Sequence, residues 1–555
     1  MKIAIVGTSN SILANGYASL YEAIEYPNQV DNFSIGATIC QYIPFALEKY
    51  SILQKYDFLI TDSCPNDSDC YFCKQRSADW FYNELYTIFS NIKETQIKHL
   101  HLIFPYARTN ILQKIHVQIC EELAIPYLDL GTLLSPSAEQ TEQDLMQDIH
   151  HVSPFFAKQI AWLIKQKREK IFAAQDTKSA PLYKTKEYIF YDLTKKFQKE
   201  YPIITRASSH ISEQFIQLEA PQELTLTNLP ALNLEGLYFY TNKEAGFFNL
   251  TSQNSCNNYS LYFPTADYIF YQPIPQNTFA IDDFLKIQAG YTKKARAFLM
   301  ENNPEPPHKD SSTLMLNSLL LSKELRPVQA WKEETFPARS EDKQCFEPIH
   351  NTLLLLAQNK EITTPISPEI LLIGASLYPK NTWLRKELML AVKKTENPYY
   401  CYYFVQYYLM PRRKYNMAIK LLEKAIERKS HIPFIQVLVS CYLEKKLFAK
   451  ALALITKKMP AQHIITYRLF CELAVAMQNE ELFFQSAQKI LACNTHINYL
   501  LFLASSCIKF NALQEAIKLL NTAFEEQRNF RPDNMQENMD KINKLTQEIQ
   551  KQSQT

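Results

Sequence analysis

A serine hydroxyl, a paired carboxylate and imidazole, and a side-chain amide are groups with which a protein can move an acyl group without a metal. The serine of interest is Ser9, in Gly7-Thr8-Ser9-Asn10-Ser11, directly after the apolar run Lys2–Val6. The acid and the imidazole are Asp148 and His151, in Asp148-Ile149-His150-His151-Val152-Ser153, just ahead of an amphipathic stretch. The amide is Asn66, in Asp62-Ser63-Cys64-Pro65-Asn66-Asp67 after the run Asp57–Thr61. A fourth block, Asn32-Phe33-Ser34-Ile35-Gly36-Ala37, ends another apolar run on a glycine. Each block alone has an ordinary reading: a helix cap for the serine, a turn for the glycine and for the Asn-Asp pair. Only 8 of the 555 residues are glycine, so Gly7 and Gly36 stand where the backbone needs them.

The elements that must hold these blocks follow from alternation. Short apolar runs at Lys2–Val6, Val30–Ile35, Asp57–Thr61, His99–Phe104 and Pro126–Leu130 are separated by helical stretches such as Ala78–Ile92 and Leu112–Leu123, and Pro154–Lys167 reads as a closing helix. Strand and helix in strict alternation predict a parallel sheet covered on both faces. Ligands of such sheets bind at the carboxyl ends of the strands, which is where the blocks of Ser9, Gly36 and Asn66 fall.

The order of the four blocks resembles that of the SGNH (GDSL-like) hydrolase superfamily. The likeness covers residues 1–170, with Thr8 in place of the usual aspartate before the nucleophile. The resemblance implies a flavodoxin-like α/β domain in which Ser9 is the nucleophile, His151 its base and Asp148 the group that orients the imidazole. It also implies an oxyanion hole made by the backbone N–H groups of Ser9 and Gly36 and by the Asn66 amide. His150 is the rival base, at the wrong spacing from Asp148.

The rest of the chain changes texture twice. Residues 185–295 hold short aromatic-rich runs (Tyr188–Leu193, Phe215–Leu218, Leu224–Leu226, Gly236–Tyr240, Ser260–Phe263, Tyr268–Tyr271) split by Asn, Pro and Ser clusters. This predicts a small β-sandwich, whose aromatics could bind sugar rings or fill a core. Residues 296–345, with Pro304, Pro306 and Pro307, read as a connector. Residues 346–530 are helical and repeat. Ala418, Leu422 and Ala425 match Ala516, Leu520 and Ala523, with Ala451/Ile455 and Ala487/Leu491 between them, at alanine spacings of 33, 36 and 29. That period resembles degenerate tetratricopeptide repeats. The array is expected to be separable from the catalytic part and to bind a protein partner or a second copy, the alternative being a purely structural array that packs against the first domains; 531–555 reads as a polar tail that forms a fraying capping helix. The fold class expected is therefore multidomain: an α/β sheet, a β-sandwich, then an α-helical repeat array.

Composition excludes several classes. A net charge of +2 with 21% charged residues gives no footprint for nucleic acid, and no apolar run is long enough for a transmembrane segment. The opening MKIAIVGTSNS has no signal-peptide core, so a cytoplasmic location is expected. The twelve cysteines are scattered. Cys70-x-x-Cys73 has metal-ligand spacing, but no second pair follows, so reduced thiols and no metal are the expectation. The function expected is serine-dependent acyl transfer on the O-acyl groups of a saccharide, as a carbohydrate esterase or an O-acetyltransferase of surface-polysaccharide metabolism. No cofactor is expected to be bound; acetyl-CoA is the acyl donor if a sugar hydroxyl is the acceptor. The alternatives are a general intracellular esterase and a non-catalytic repeat scaffold.

Overall fold

The computed structural model describes residues 1–13, 16–95, 97–133, 146–174, 184–207, 212–241, 247–253, 255–260, 268–274, 279–290, 313–334, 336, 340–358, 362, 366–461, 463–493, 497–528 and 535–553. The first domain has five parallel strands, β1 (Lys2–Val6), β2 (Gln29–Asn32), β3 (Phe58–Asp62), β4 (Lys98–Ile103) and β5 (Tyr127–Asp129). Their order is β2-β1-β3-β4-β5, the flavodoxin-like arrangement.

The two-residue period of a strand divides the core of this sheet. Ile3, Ile5, Phe58, Ile60, Leu100 and Leu102 point to one face, against the helices Tyr17–Glu25 and Pro154–Ala173. Ala4, Val6, Leu59 and Ile103 point to the other, against the helices Tyr42–Lys49, Ala78–Glu94 and Ile111–Glu122. Burial on both faces is why the central strands β1 and β3 read as nearly unbroken apolar runs.

The second domain is a sandwich of two antiparallel sheets. One holds β6 (Lys186–Asp192), β7 (Ile203–Ala207), β8 (Ser212–Glu219), β10 (Leu232–Thr241), β13 (Tyr268–Pro273), β14 (Phe279–Ile281) and β16 (Thr313–Glu324). The other holds β9 (Glu223–Leu226), β11 (Phe247–Thr251), β12 (Cys256–Ser260) and β15 (Leu285–Ala289). Here the expected boundaries need correction. The segment read as a connector contains β16, which pairs with β6, β8 and β10 at the centre of the larger sheet. Its sequence, TLMLNSLLLSKE, is nearly all buried, so it lacks the alternation that marks a half-exposed strand. Pro304, Pro306 and Pro307, and residues 261–263 of the expected run Ser260–Phe263, lie outside the described residues.

Four of the sandwich aromatics fill a core, not a sugar surface. Phe215, Tyr238, Tyr240 and Tyr271 are buried together with Tyr42 and Phe45 of the first domain. Beside them Lys186 bridges Glu84 at 2.7 Å and Glu235 at 2.9 Å, and Gln41 donates to Glu235 at 2.6 Å. Buried charges of this kind are tolerated only when paired, which ties the two domains in one register.

The third part is all helix, from Ser340–Ala357 to Met535–Ser553. The matched positions do what their sizes allow: Ala418, Leu422, Ala425, Ala451, Ile455, Ala516, Leu520 and Ala523 are buried between neighbouring helices. The polar tail forms a capping helix, as expected: Met535–Ser553 covers the last helix pair with Ile542 and Ile549. Of the two expected arrangements, the array takes the one packed against the first domain. Phe346, Ile349, Leu353, Leu371 and Leu372 share one core with Phe156, Ile160 and Ile164 of the helix Pro154–Ala173.

A polar clamp completes that junction. Glu22 of the first domain lies 2.9 Å from the Lys429 ammonium and 3.2 Å from His431 Nε2. Burial pushes Glu22 up, but the His431 ring and the Lys429 ammonium outweigh it and hold the carboxyl down at about 2. A depressed carboxyl stabilises the folded state above the ordinary glutamate range and stops doing so as the pH falls toward the depressed value. Glu22→Gln is therefore expected to lose about 1–3 kcal/mol at neutral pH, read from urea midpoints, with the gap to the native chain narrowing in acid. A gap that stays constant with pH would show that the Glu22 charge carries none of the effect.

Candidate active site

Four loops at the carboxyl ends of the strands build the site. After β1 the chain turns at Gly7 and enters the four-residue helix Ser9–Ile12. Gly7 cannot be larger, because an added Cβ would sit 2.0 Å from Asp62 Oδ2. Asp62, fully buried at the end of β3, accepts the Thr8 N–H at 2.9 Å, the Thr8 hydroxyl at 2.7 Å, and the Ser11 hydroxyl. Burial raises its pKa and the Ser11 and Thr8 hydrogen bonds oppose that rise. Three donors on one carboxylate fix the turn that presents Ser9.

The acid and histidine arrive on a tight loop. Met146 and Val152 pair as an isolated bridge, and Asp148 Oδ1 accepts the N–H groups of His150 and His151 at 2.8 and 2.9 Å. Asp148 Oδ2 lies 2.7 Å from His151 Nδ1, and His151 Nε2 lies 2.7 Å from Ser9 Oγ. The three side chains named from sequence thus form one hydrogen-bonded line. Burial pushes Asp148 up, but His151 and the two backbone donors together hold its carboxyl below the usual range. An ionised carboxylate on Nδ1–H leaves Nε2 as the acceptor facing the serine. His150 turns away, toward Asp69 at 3.6 Å and the Tyr106 ring at 5.4 Å.

Asn10 is a site residue that sequence reading missed. Its buried amide donates to the His150 carbonyl at 2.9 Å and accepts the Val152 N–H at 3.3 Å. It therefore stitches the histidine loop to the nucleophile turn. Its position next to Ser9 was the only signal, and nothing in the sequence places 150–152 opposite it. Asp62 was missed for the same reason.

The second loop brings Gly36 beside Ser9: a Cβ added there would lie 4.0 Å from Ser9 Cβ and 3.3 Å from Ile12 Cδ1. Ala37 follows in the left-handed region, with φ of 58°, a conformation costing a non-glycine residue about 1–2 kcal/mol. The loop is held against β1 by Gly7 N–H on Ser34 Oγ at 2.8 Å, and against the third loop by Asn66 Nδ2 on the Thr38 carbonyl at 2.8 Å. One N–H of the Asn66 amide remains beyond that bond, since the group carries two. Cys64 and Cys70, on the helix Cys64–Phe72, are buried, and Cys73 at its end is exposed.

Fold and geometry define the class of this domain: a flavodoxin-like α/β unit with a Ser–His–Asp line at the carboxyl edge of its sheet. No family model and no curated protein matches the chain. Among solved structures it is similar to a two-domain esterase active on acetylated mannans, co-crystallised with mannopentaose, at 13% identity over 59% of this chain and 92% of that one, with a TM-score of 0.40. It is also similar to a lipolytic protein of the G-D-S-L family from Desulfitobacterium hafniense DCB-2, at 15% identity over 31% of this chain and 98% of that one, TM-score 0.26. An acetyl xylan esterase is similar at 14% identity over 31% of this chain and 98% of that one, TM-score 0.25. No helix among the described residues is long and apolar enough to cross a membrane.

Proposed function

We propose that this chain is a serine-dependent acyl-transfer enzyme, with Ser9, His151 and Asp148 as its triad. The observation that carries the reading is the unbroken line from Ser9 Oγ to His151 to Asp148, at 2.7 Å for each link. Ser9 Oγ attacks the acyl carbonyl while His151 Nε2 takes the hydroxyl proton and Asp148 stabilises the imidazolium. The carbonyl oxygen becomes an oxyanion facing the N–H groups of Ser9 and Gly36 and the remaining N–H of Asn66. Collapse expels the leaving group, an alkoxide from an ester or the thiolate from acetyl-CoA, which takes the proton from His151 and leaves an acyl-Ser9 ester. A second acceptor, water or a sugar hydroxyl, gives its proton to His151, attacks the ester and regenerates Ser9.

For the substrate we propose the O-acetyl groups of a saccharide, following the joining of such a domain to a β-sandwich, which resembles the carbohydrate-active branch of the superfamily. Water as acceptor makes the chain a carbohydrate esterase. A sugar hydroxyl makes it an O-acetyltransferase, with acetyl-CoA as donor in a cytoplasmic setting of surface-polysaccharide metabolism.

The test is labelling of the full chain with a fluorophosphonate, followed by mass-spectrometric mapping. Modification at Ser9 supports the reading; folded protein that does not label would instead favour a non-catalytic scaffold. Acetate release from an acetylated polysaccharide, against acetyl transfer from acetyl-CoA to the deacetylated one, separates esterase from transferase. Asn66→Ala is expected to lower kcat on an aryl acetate about a hundredfold or more, with Ser9 still labelling slowly. An unchanged kcat would remove Asn66 from the oxyanion hole.

A further inference from the structure

Asp67, next to Asn66, is fully buried and faces four groups. Its Oδ1 accepts the Cys40 N–H at 2.8 Å, which ties down the loop carrying Gly36, Ala37 and Thr38. Its Oδ2 accepts the Ser63 hydroxyl at 2.6 Å, at the start of the helix Cys64–Phe72 that carries Asn66, and lies 3.1 Å from His116 Nε2. The fourth group is the Cys40 thiol, which burial pushes well up and so keeps neutral. Behind His116 runs a buried line: His116 Nδ1 to His101 Nε2 at 2.8 Å, His101 Nδ1 to Thr61 Oγ at 2.8 Å, and Thr61 Oγ to His99 Nε2 at 2.8 Å. The line ends at His99 Nδ1, which has no hydrogen-bond partner.

That free end sets the polarity of the whole line. An unpartnered buried N–H is rarer and costlier than an unpartnered acceptor, so the His99 proton sits on Nε2 and is donated to Thr61. The Thr61 hydroxyl then points its own proton at His101 Nδ1, which puts the His101 proton on Nε2. His101 donates it to His116 Nδ1, so the His116 proton sits on Nε2, aimed at Asp67. The rings of His101 and His116 are parallel to within 5°, which lets the N–H of one approach the in-plane lone pair of the other. Phe89 lies edge-on to both His99 and His101, at 5.3 and 4.8 Å between centroids. In these apolar surroundings burial holds His99 down at about 3 and His101 well below the usual histidine range.

We propose that His116 is a positioning residue for acyl transfer: the line His99–Thr61–His101 fixes its tautomer, and through Asp67 it holds the Gly36 loop and the start of the Asn66 helix in register as an oxyanion hole. The inference rests on the oxyanion hole assigned above. The left-handed Ala37 shows why a clamp is needed, since that loop is held in a strained conformation by Asp67 on Cys40 and by Asn66 on Thr38.

Two measurements on the full chain test it. Ring-nitrogen NMR of 15N-histidine-labelled native protein, assigned with single-histidine variants, is expected to find His99, His101 and His116 neutral with the proton on Nε2. A His116 proton on Nδ1, or an imidazolium, overturns the proposal. In kinetics on p-nitrophenyl acetate, His116→Leu is expected to lower kcat about tenfold to a hundredfold at nearly constant KM. His116→Gln can donate to Asp67 and accept from His101, and should stay within about threefold of the native kcat. Leu and Gln variants that lose kcat equally, or a folded Leu variant with native kcat, overturn the proposal. If His116→Leu does not fold, Thr61→Val cuts the line at constant shape; its kcat should fall by about threefold to tenfold, and native kcat again overturns the proposal. Native protein that neither hydrolyses the ester nor labels at Ser9 would sink the assigned function instead, a result distinct from any of these.

Discussion

Ser9→Ala and His151→Ala are each expected to abolish hydrolysis of a small aryl acetate while leaving the chain folded. Triad members act as a unit, so losing one removes about 10⁴-fold or more of the rate. Folding should survive because neither side chain holds the loops together. The nucleophile turn is anchored by Thr8 and Ser11 on Asp62, and the histidine loop by Asn10 on the backbone of 150 and 152. His150→Ala provides the contrast: that ring faces Asp69 and Tyr106 rather than Ser9, so turnover should change little. Steady-state rates with circular dichroism on the same samples decide the matter. Near-native turnover in the Ser9 or His151 variant, or a deep loss in His150→Ala, would rule out the assignment of nucleophile and base.

The second large effect concerns truncation. The sequence suggests that a chain ended near residue 300 keeps its activity, but that cut removes β16, the strand to which β6, β8 and β10 are paired. The sandwich would lose its central ladder, and the buried Glu84–Lys186–Glu235 contacts would lose the Ser322 hydroxyl that also binds Glu235. Such a chain is expected to be insoluble. A cut after residue 334 keeps β16 and also Trp331, whose backbone N–H binds Asp79 at 2.6 Å and whose ring N–H binds Gln118 at 3.0 Å. It still strips the array from the helices Tyr17–Glu25 and Pro154–Ala173. Full burial of a large apolar side chain contributes about 1.5–3 kcal/mol, and Phe156, Ile160 and Ile164 are among those exposed by the cut. This chain should aggregate or unfold at temperatures where the full chain is stable, as size-exclusion chromatography and thermal melts would show. A monodisperse chain of residues 1–334 with native aryl-acetate turnover would mean that the array is an appendage after all.

The α/β domain was legible because its signals are local. Apolar runs of five or six residues between helical stretches define the parallel sheet, and the closing helix declares itself by apolar residues at helical spacing. Ser9, Asp148 and His151 could be named because the order of their blocks resembles that of the SGNH hydrolases, with Asp148 three residues ahead of His151. The buried strand β16 was not legible: with both faces covered it has no alternation, and the prolines before it read as a linker.

The parallel sheet was determined by the sequence alone, because strand and helix periodicity act over a few residues, and the resemblance of four ordered blocks to the SGNH hydrolases picked out Ser9, Gly36, Asn66, Asp148 and His151 as candidates. Tertiary structure alone decided which groups hold those residues in place. Asn10 reaches residues 150 and 152, Asp62 reaches back to Thr8, and His116 reaches Asp67, because the carboxyl ends of parallel strands converge in space while their residues stay far apart in the chain. It alone also decided that the first helices of the array share a core with the first domain. Whether an apolar face meets water or another domain depends on what docks there, and no local pattern encodes that.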